Sequence, residues 1–311
     1  MRYVRCSALA LLAVVTVKAA AAQSGLWPAD SMLAEGRLAT AESLYYAAAR
    51  ERPRDPRVRA ALGRFLASRG GTRAGAVLLE EARFFGGDSA ALARTLVPLY
   101  TRLADYEALA ALRPDVLAPA ERRRARWLAG RRQEARLRDT VVVLTYRPIS
   151  DGRGIGTILV RLGRAEFPAI VDPRISGLVV PAAARRDVRT FGTMADKTIG
   201  VTESLRIGPV IVSNVPTLVG NPDEAVRIGF DVLAPYYPGF DPVKGVLLLR
   251  RVGRRAPDLP GIRVPALYDS NGIRLLIGGR WQPTTGSGAS MLLATRRWIW
   301  DWRMGDVVLA P

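Results

Sequence analysis

The stretch Phe167-Pro-Ala-Ile-Val-Asp172-Pro-Arg-Ile-Ser-Gly-Leu-Val-Val180 sets two short β-branched runs, Ala169 to Val171 and Leu178 to Val180, on either side of an interval built from Asp, Pro, Arg, Ser and Gly. Valine and isoleucine suit a pleated, buried strand, whereas proline and glycine punctuate one. The segment reads as strand, tight loop, strand, with an aspartate at the mouth of the loop. Moving outward, Val141 to Leu144, Thr157 to Leu162, Leu205 to Ile207, Val210 to Val212, Thr217 to Val219 and Val246 to Leu249 repeat the texture, split by Gly, Pro and Asn. Short strands at this spacing predict a compact, mainly β domain, barrel-like or sandwich-like, over residues 139–252.

Upstream the texture changes. From Asp30 to about Arg138 the chain is rich in Ala, Leu and Arg, with apolar residues three and four apart, which predicts consecutive amphipathic helices. Ala41, Tyr45, Ala48 and Pro53 are echoed 34 residues later by Gly75, Leu79, Ala82 and Gly87, while Leu62, Gly63 and Leu66 lead, after the same step, to Leu96 and Tyr100. In this small–bulky–small spacing residues 23–138 resemble tetratricopeptide repeats, which implies stacked helical hairpins and a docking surface. Glu121 to Arg138 carries eight Arg against two Glu and is expected as a basic connecting helix. No nucleic-acid recognition motif accompanies it, so nucleic acid is not an expected partner.

Three ordered pieces of the β half carry a second resemblance. Phe167 to Asp172 and Ser176 to Val180 look like the strand, catalytic loop and strand of a retropepsin-like aspartyl protease lobe. Leu205-Arg-Ile-Gly208 with Asn214-Val-Pro216 resembles the hairpin that follows, and Ile228-Gly-Phe-Asp-Val-Leu233, Phe240-Asp241 and Gly245 to Leu249 resemble the closing Leu-Gly element, turn and terminal strand. Together the resemblances imply an α+β multidomain chain in which N-terminal tetratricopeptide-like hairpins precede a mainly-β, acid-protease barrel.

The family's loop reads Asp-Thr-Gly or Asp-Ser-Gly. Two such loops hold two carboxylates close enough to share a proton, so that one acts as acid and the other activates water. Here the loop is Asp172-Pro173-Arg174. Proline removes the bracing hydroxyl and a backbone N–H, and Arg174 places a bulky cation where glycine would let the backbone pass. A neighbouring guanidinium favours an ionised carboxylate, which opposes a half-protonated dyad.

Residues 253–311 carry a partial, degenerate echo of the same lobe. Ile273 to Gly279 reads as strand and turn, Thr284-Thr-Gly-Ser-Gly-Ala-Ser290 as the loop, Met291 to Leu293 as the next strand, and Trp302 to Leu309 as the start of a hairpin. In that alignment Thr284 takes the aspartate's place, while Thr285 and Gly286 keep the hydroxyl and the glycine.

Composition narrows the chemistry further. The 311 residues contain no histidine and one cysteine, Cys6, which excludes His relays and Cys/His metal cages. No cofactor or metal is expected. The formal charge of +18 is almost all arginine, since only Lys18, Lys197 and Lys244 are lysine. A GC-rich genome accounts for such a bias, and a basic surface still attracts acidic partners. Arg2 and Arg5, the apolar run Ser7 to Val17, and Ala20-Ala21-Ala22 form the three parts of a secretory signal over residues 1–22. The run is too short to span a bilayer and Cys6 precedes it, so the expected mature chain is exported, periplasmic or secreted, cysteine-free and without a membrane span.

Three functions follow from these readings. The preferred one is a catalytically degenerate, exported aspartyl-protease-family protein that binds a peptide or protein ligand. A second is an active aspartic endopeptidase whose two subunits, in a homodimer, each supply Asp172. The third is a helical-repeat scaffold in which the β half is only a packing platform.

Overall fold

The computed structural model describes residues 27–131, 133–136, 141–149, 154–233, 236–251, 261–269, 272–284, 288–301 and 304–310. The expected signal, residues 1–22, lies outside them, as do Thr285 and Gly286.

Among the described residues seven helices come first: α1 (Trp27–Ala34), α2 (Leu38–Glu51), α3 (Pro56–Ser68), α4 (Thr72–Phe84), α5 (Ser89–Arg102), α6 (Tyr106–Ala111) and α7 (Pro119–Leu128). Aspartates start three of them. Asp55 accepts from the backbone N–H of Arg57 (2.8 Å), Asp88 from those of Ala90 and Ala91 (3.0 Å each), and Asp105 from that of Ala108 (3.1 Å), each satisfying donors that the first turn leaves open. Gly70 and Gly86 follow α3 and α4 with φ of +87°, the left-handed stop that glycine takes without strain. Consecutive helices pack on one another through an apolar stripe that includes Leu79, Leu92, Leu96 and Leu99. The basic connecting helix is shorter than expected. It ends at Leu128, Gly130 turns the chain at φ +75°, and Ala135–Arg136 (β1) already pairs with a strand of the β region.

The strands that follow are β2 (Val141–Thr145), β3 (Arg147–Pro148), β4 (Gly156–Leu162), β5 (Ala165–Val171), β6 (Leu178–Val180), β7 (Arg189–Met194), β8 (Lys197–Ile207), β9 (Val210–Val219), β10 (Val226–Ile228), β11 (Tyr236–Asp241) and β12 (Val246–Arg251). The two runs at Val210 and Thr217 are one strand, β9. Pro216 interrupts nothing because it falls between the stretch paired with β1 and the stretch paired with β6.

Strands β9, β6, β10, β5, β4 and β8 form a closed barrel, since β8 also pairs with β9. Closure removes open edges. The late strand β10 slips between β5 and β6, parallel to the first and antiparallel to the second. The loop joining β5 to β6 must therefore arch over the end of β10.

The remaining strands, β13 (Ile262–Asp269), β14 (Gly272–Ile277), β15 (Arg280–Pro283), β16 (Trp298–Asp301) and β17 (Asp306–Leu309), do not stand apart from this barrel. They continue β11, β12 and β2 in a second sheet of order β15-β14-β13-β17-β16-β11-β12-β2. The strand expected at Met291 to Leu293 is instead part of helix α9 (Gly288–Thr295), which follows the short helix α8 (Phe230–Leu233) in chain order. A three-residue apolar run is too short to show its period, and the Ala, Met and Leu around it favour helix.

Across the β11–β16 seam the sheet is related to itself by an approximate two-fold. Tyr146 N–H donates to Gly245 O at 2.8 Å, and on the other side Ala266 N–H donates to Gly305 O at 2.8 Å. Asp241 accepts from Lys244 N (3.0 Å) and Asp301 from Met304 N (3.4 Å), and Gly245 and Gly305 turn at φ +65° and +67°. Phe240 stacks on Trp298 at 4.1 Å and Phe230 on Trp300 at 4.4 Å, so one apolar core runs through both halves.

The helices are pinned to this body. Arg69, just past α3, donates to Ala266 O (2.6 Å), to Gly305 O and to Met304 O (3.3 Å), and pairs with Asp306 at 3.2 Å. Trp281 donates to Leu33 O at 2.6 Å, and Arg123 of α7 to Phe191 O at 2.9 Å. No described helix is long and apolar enough to cross a membrane.

Candidate functional site

The arch over β10 is the loop that begins at Asp172. Its ends are tied to that strand: Asp172 N–H donates to Ile228 O at 3.0 Å, and Gly229 N–H to Gly177 O at 2.8 Å. Gly177 sits at φ +71°, and a Cβ there would lie 2.2 Å from Pro216 O, so no other residue fits the descent into β6.

The Asp172 side chain is fully buried. Its Oδ1 accepts from Arg174 N (2.9 Å) and Arg174 Nε (2.9 Å), and its Oδ2 from Arg174 Nη2 (3.0 Å) and from Nη2 of Arg227 in β10 (2.5 Å). Burial alone would raise its pKa. The side-chain and backbone bonds from Arg174, with the charges of Arg174 and Arg227, outweigh burial and hold the carboxyl below its usual range. Asp172 is thus an ionised acceptor in a two-arginine clamp.

A second carboxylate serves the same loop. Asp231 of α8 accepts from Ser176 Oγ at 2.7 Å and from Gly177 N at 2.8 and 2.9 Å. Burial pushes its pKa up against the opposing pull of those bonds and of Arg102. These contacts brace the loop.

Thr284 follows β15 as Asp172 follows β5. Its N–H donates to Ile273 O at 2.9 Å, and its buried Oγ1 has no hydrogen-bond partner among the described residues. A threonine hydroxyl does not titrate in the range where carboxylates do. Strand β14 lies between Arg174 and Thr284: a Cβ on Gly272 would lie 3.0 Å from Arg174 Cγ, and Gly272 is followed by Ile273, the residue that bonds Thr284.

Arg227 completes the site and carries no sequence signal, whereas Asp231 falls in the closing element read from sequence, where nothing in the sequence pairs it with Asp172. Arg227 lies in a three-residue strand flanked by Ala225 and Gly229, too short to register as a run. A second signal was present: Phe240-Asp-Pro-Val-Lys-Gly-Val-Leu-Leu-Leu249 recurs sixty residues on as Trp300-Asp-Trp-Arg-Met-Gly-Asp-Val-Val-Leu309, with Asp, Gly and the final Leu in register. That repeat marks Trp302 to Leu309 as the end of a closing hairpin.

No family model and no curated protein matches the chain. Among solved structures it is similar to a retropepsin-like aspartic protease from Rickettsia conorii, at 16% identity and a TM-score of 0.29, over 39% of this chain and 95% of that one. So loose a superposition decides nothing by itself. Helices followed by a closed six-stranded barrel with its inserted strand are consistent with a retropepsin-like fold.

Proposed function

We propose that this chain is an exported aspartyl-protease-like protein without peptidase activity, acting as a peptide- or protein-binding module. Residues 23–138 are tetratricopeptide-like repeats, 139–252 a retropepsin-like domain and 253–311 a degenerate second copy of it. The observation that carries the proposal is the clamp on Asp172. Hydrolysis by a carboxylate pair needs one protonated and one ionised acid facing a water molecule. Asp172 instead gives its oxygens to four arginine N–H donors, and the corresponding position of the second half is Thr284.

The reading in which two chains each supply Asp172 is disfavoured by the sheet at the β11–β16 seam, where the chain's own second half stands as the partner. The experiment is peptide-library digestion by the purified protein from about pH 3 to about pH 8, the span in which such dyads titrate, beside Asp172→Asn. Neither protein is expected to cleave. Cleavage by the wild type that disappears in the variant would overturn the proposal.

A further inference from the structure

Between α3 and α5 on one wall and the β13–β14 hairpin on the other lies a cleft of about 590 Å³, within the roughly 300–1,000 Å³ range of small-ligand sites. It adjoins the Asp172 clamp without including Asp172, Arg174 or Arg227 in its lining, and four arginines line it: Arg64, Arg94, Arg102 and Arg274. Two carboxylates share the lining, and both are engaged. Asp30 accepts from Tyr45 Oη, and Asp269 pairs with Arg274 at 2.6 Å. The Arg102 guanidinium carbon lies over the Tyr268 ring, 3.8 Å from its centre.

Arg64 and Arg94 are different. Both are exposed at the cleft, and neither has a hydrogen bond or ion pair among the described residues. Their guanidinium forks match carboxylate oxygens in pairs. Aromatic and aliphatic side chains complete the lining, notably Phe65 and Tyr268. A cleft that sets exposed guanidinium groups among apolar walls suits a short peptide bearing carboxylates better than a simple inorganic anion.

We infer that this cleft binds an acidic peptide segment, with Arg64 and Arg94 taking its carboxylates. The inference rests on the peptide-binding reading above and adds to it the place and the ligand's charge.

The test is fluorescence anisotropy with a dye-labelled hexapeptide containing three glutamates and with its glutamine counterpart, using the full-length mature protein. The glutamate peptide is expected to bind about tenfold more tightly than the glutamine one, the equivalent of about 1.4 kcal/mol. Raising salt from about 0.05 M to about 0.5 M should narrow that gap by screening. The Arg64→Gln/Arg94→Gln double variant should abolish it with an unchanged far-ultraviolet circular dichroism spectrum. The salt series on the wild type stands on its own if the variant misfolds. Equal, salt-insensitive binding of both peptides would overturn the site and leave the peptide-binding reading standing, whereas binding of neither would overturn both. Displacement of the glutamate peptide by an equal concentration of free glutamate would overturn the peptide and assign the cleft to a small carboxylate.

Discussion

At the scale of single residues, Asp172 decides more than any other side chain, because its carboxylate is fully buried while Arg174 and Arg227 remain partly open to solvent. Removing its charge leaves two guanidinium groups packed against a neutral amide, and breaking a buried pair from one side costs several kcal/mol. Asp172→Asn is expected to destabilise the protein by about 3 kcal/mol near pH 7, at the low end of that range because both arginines keep some hydration. The pH dependence has a fixed sign. The folded pKa of Asp172 lies below its unfolded value, so its contribution is fully present above the ordinary aspartate pKa of about 3.9 and is lost as pH falls through the lower folded value. Urea unfolding of wild type and variant should diverge at neutral pH and converge in strong acid. A constant difference down to about pH 2, well below that ordinary pKa, would mean that the clamp contributes shape and not charge.

Elements show where sequence reading succeeds and where it stops. The loop around Asp172 was legible because β5 and β6 are β-branched on both sides of a Pro/Gly interval, and the helices because their apolar period repeats over long windows. Strand β10 and helix α9 were not legible. Three residues of strand cannot announce themselves, and an apolar triplet fits either period. The charged half of the site went unseen for the same reason, since Arg227 lies 55 residues from Asp172 and is brought to it only by the insertion of β10. Where the period was read correctly, packing supplies its reason: α3 and α4 cross with Gly63 against Gly75, and a Cβ on Gly75 would lie 2.6 Å from Gly63 O and 2.7 Å from Ala67 Cβ. Alanine gains about 1 kcal/mol over glycine in a helix interior, but this crossing has no space for it. Gly75→Ala should therefore be destabilising, by about 1–2 kcal/mol as overpacking outweighs propensity, and Gly75→Val more so. Thermal unfolding that leaves Gly75→Ala as stable as the parent would mean the two helices can separate freely.

For the whole molecule, the second sheet determines how the chain behaves as a unit. Strands β2, β12 and β11 precede the proline-bearing stretch near residue 260 and β16, β17 and β13 follow it, yet they share one hydrogen-bonded ladder and one aromatic core. The seam pairs Gly239 with Ile299 and Phe240 with Trp298, so each half covers the sheet edge that the other would expose. An edge satisfied from within one chain has no need of a second copy. The protein should sediment as a single chain at micromolar concentration. The same argument concerns cooperativity: backbone amides of β11, β12, β16 and β17 cannot exchange by opening one half alone, because separating the halves strips the stacked pairs Phe240–Trp298 and Phe230–Trp300. Native-state hydrogen exchange should place amides on both sides of the seam at one common opening free energy, and Trp298→Ala should lower both sides together, by about 3–5 kcal/mol for loss of a buried tryptophan. If the variant lowered only β16 and β17, the two halves would be independent folding units that merely touch, and the seam would again be available to a second chain.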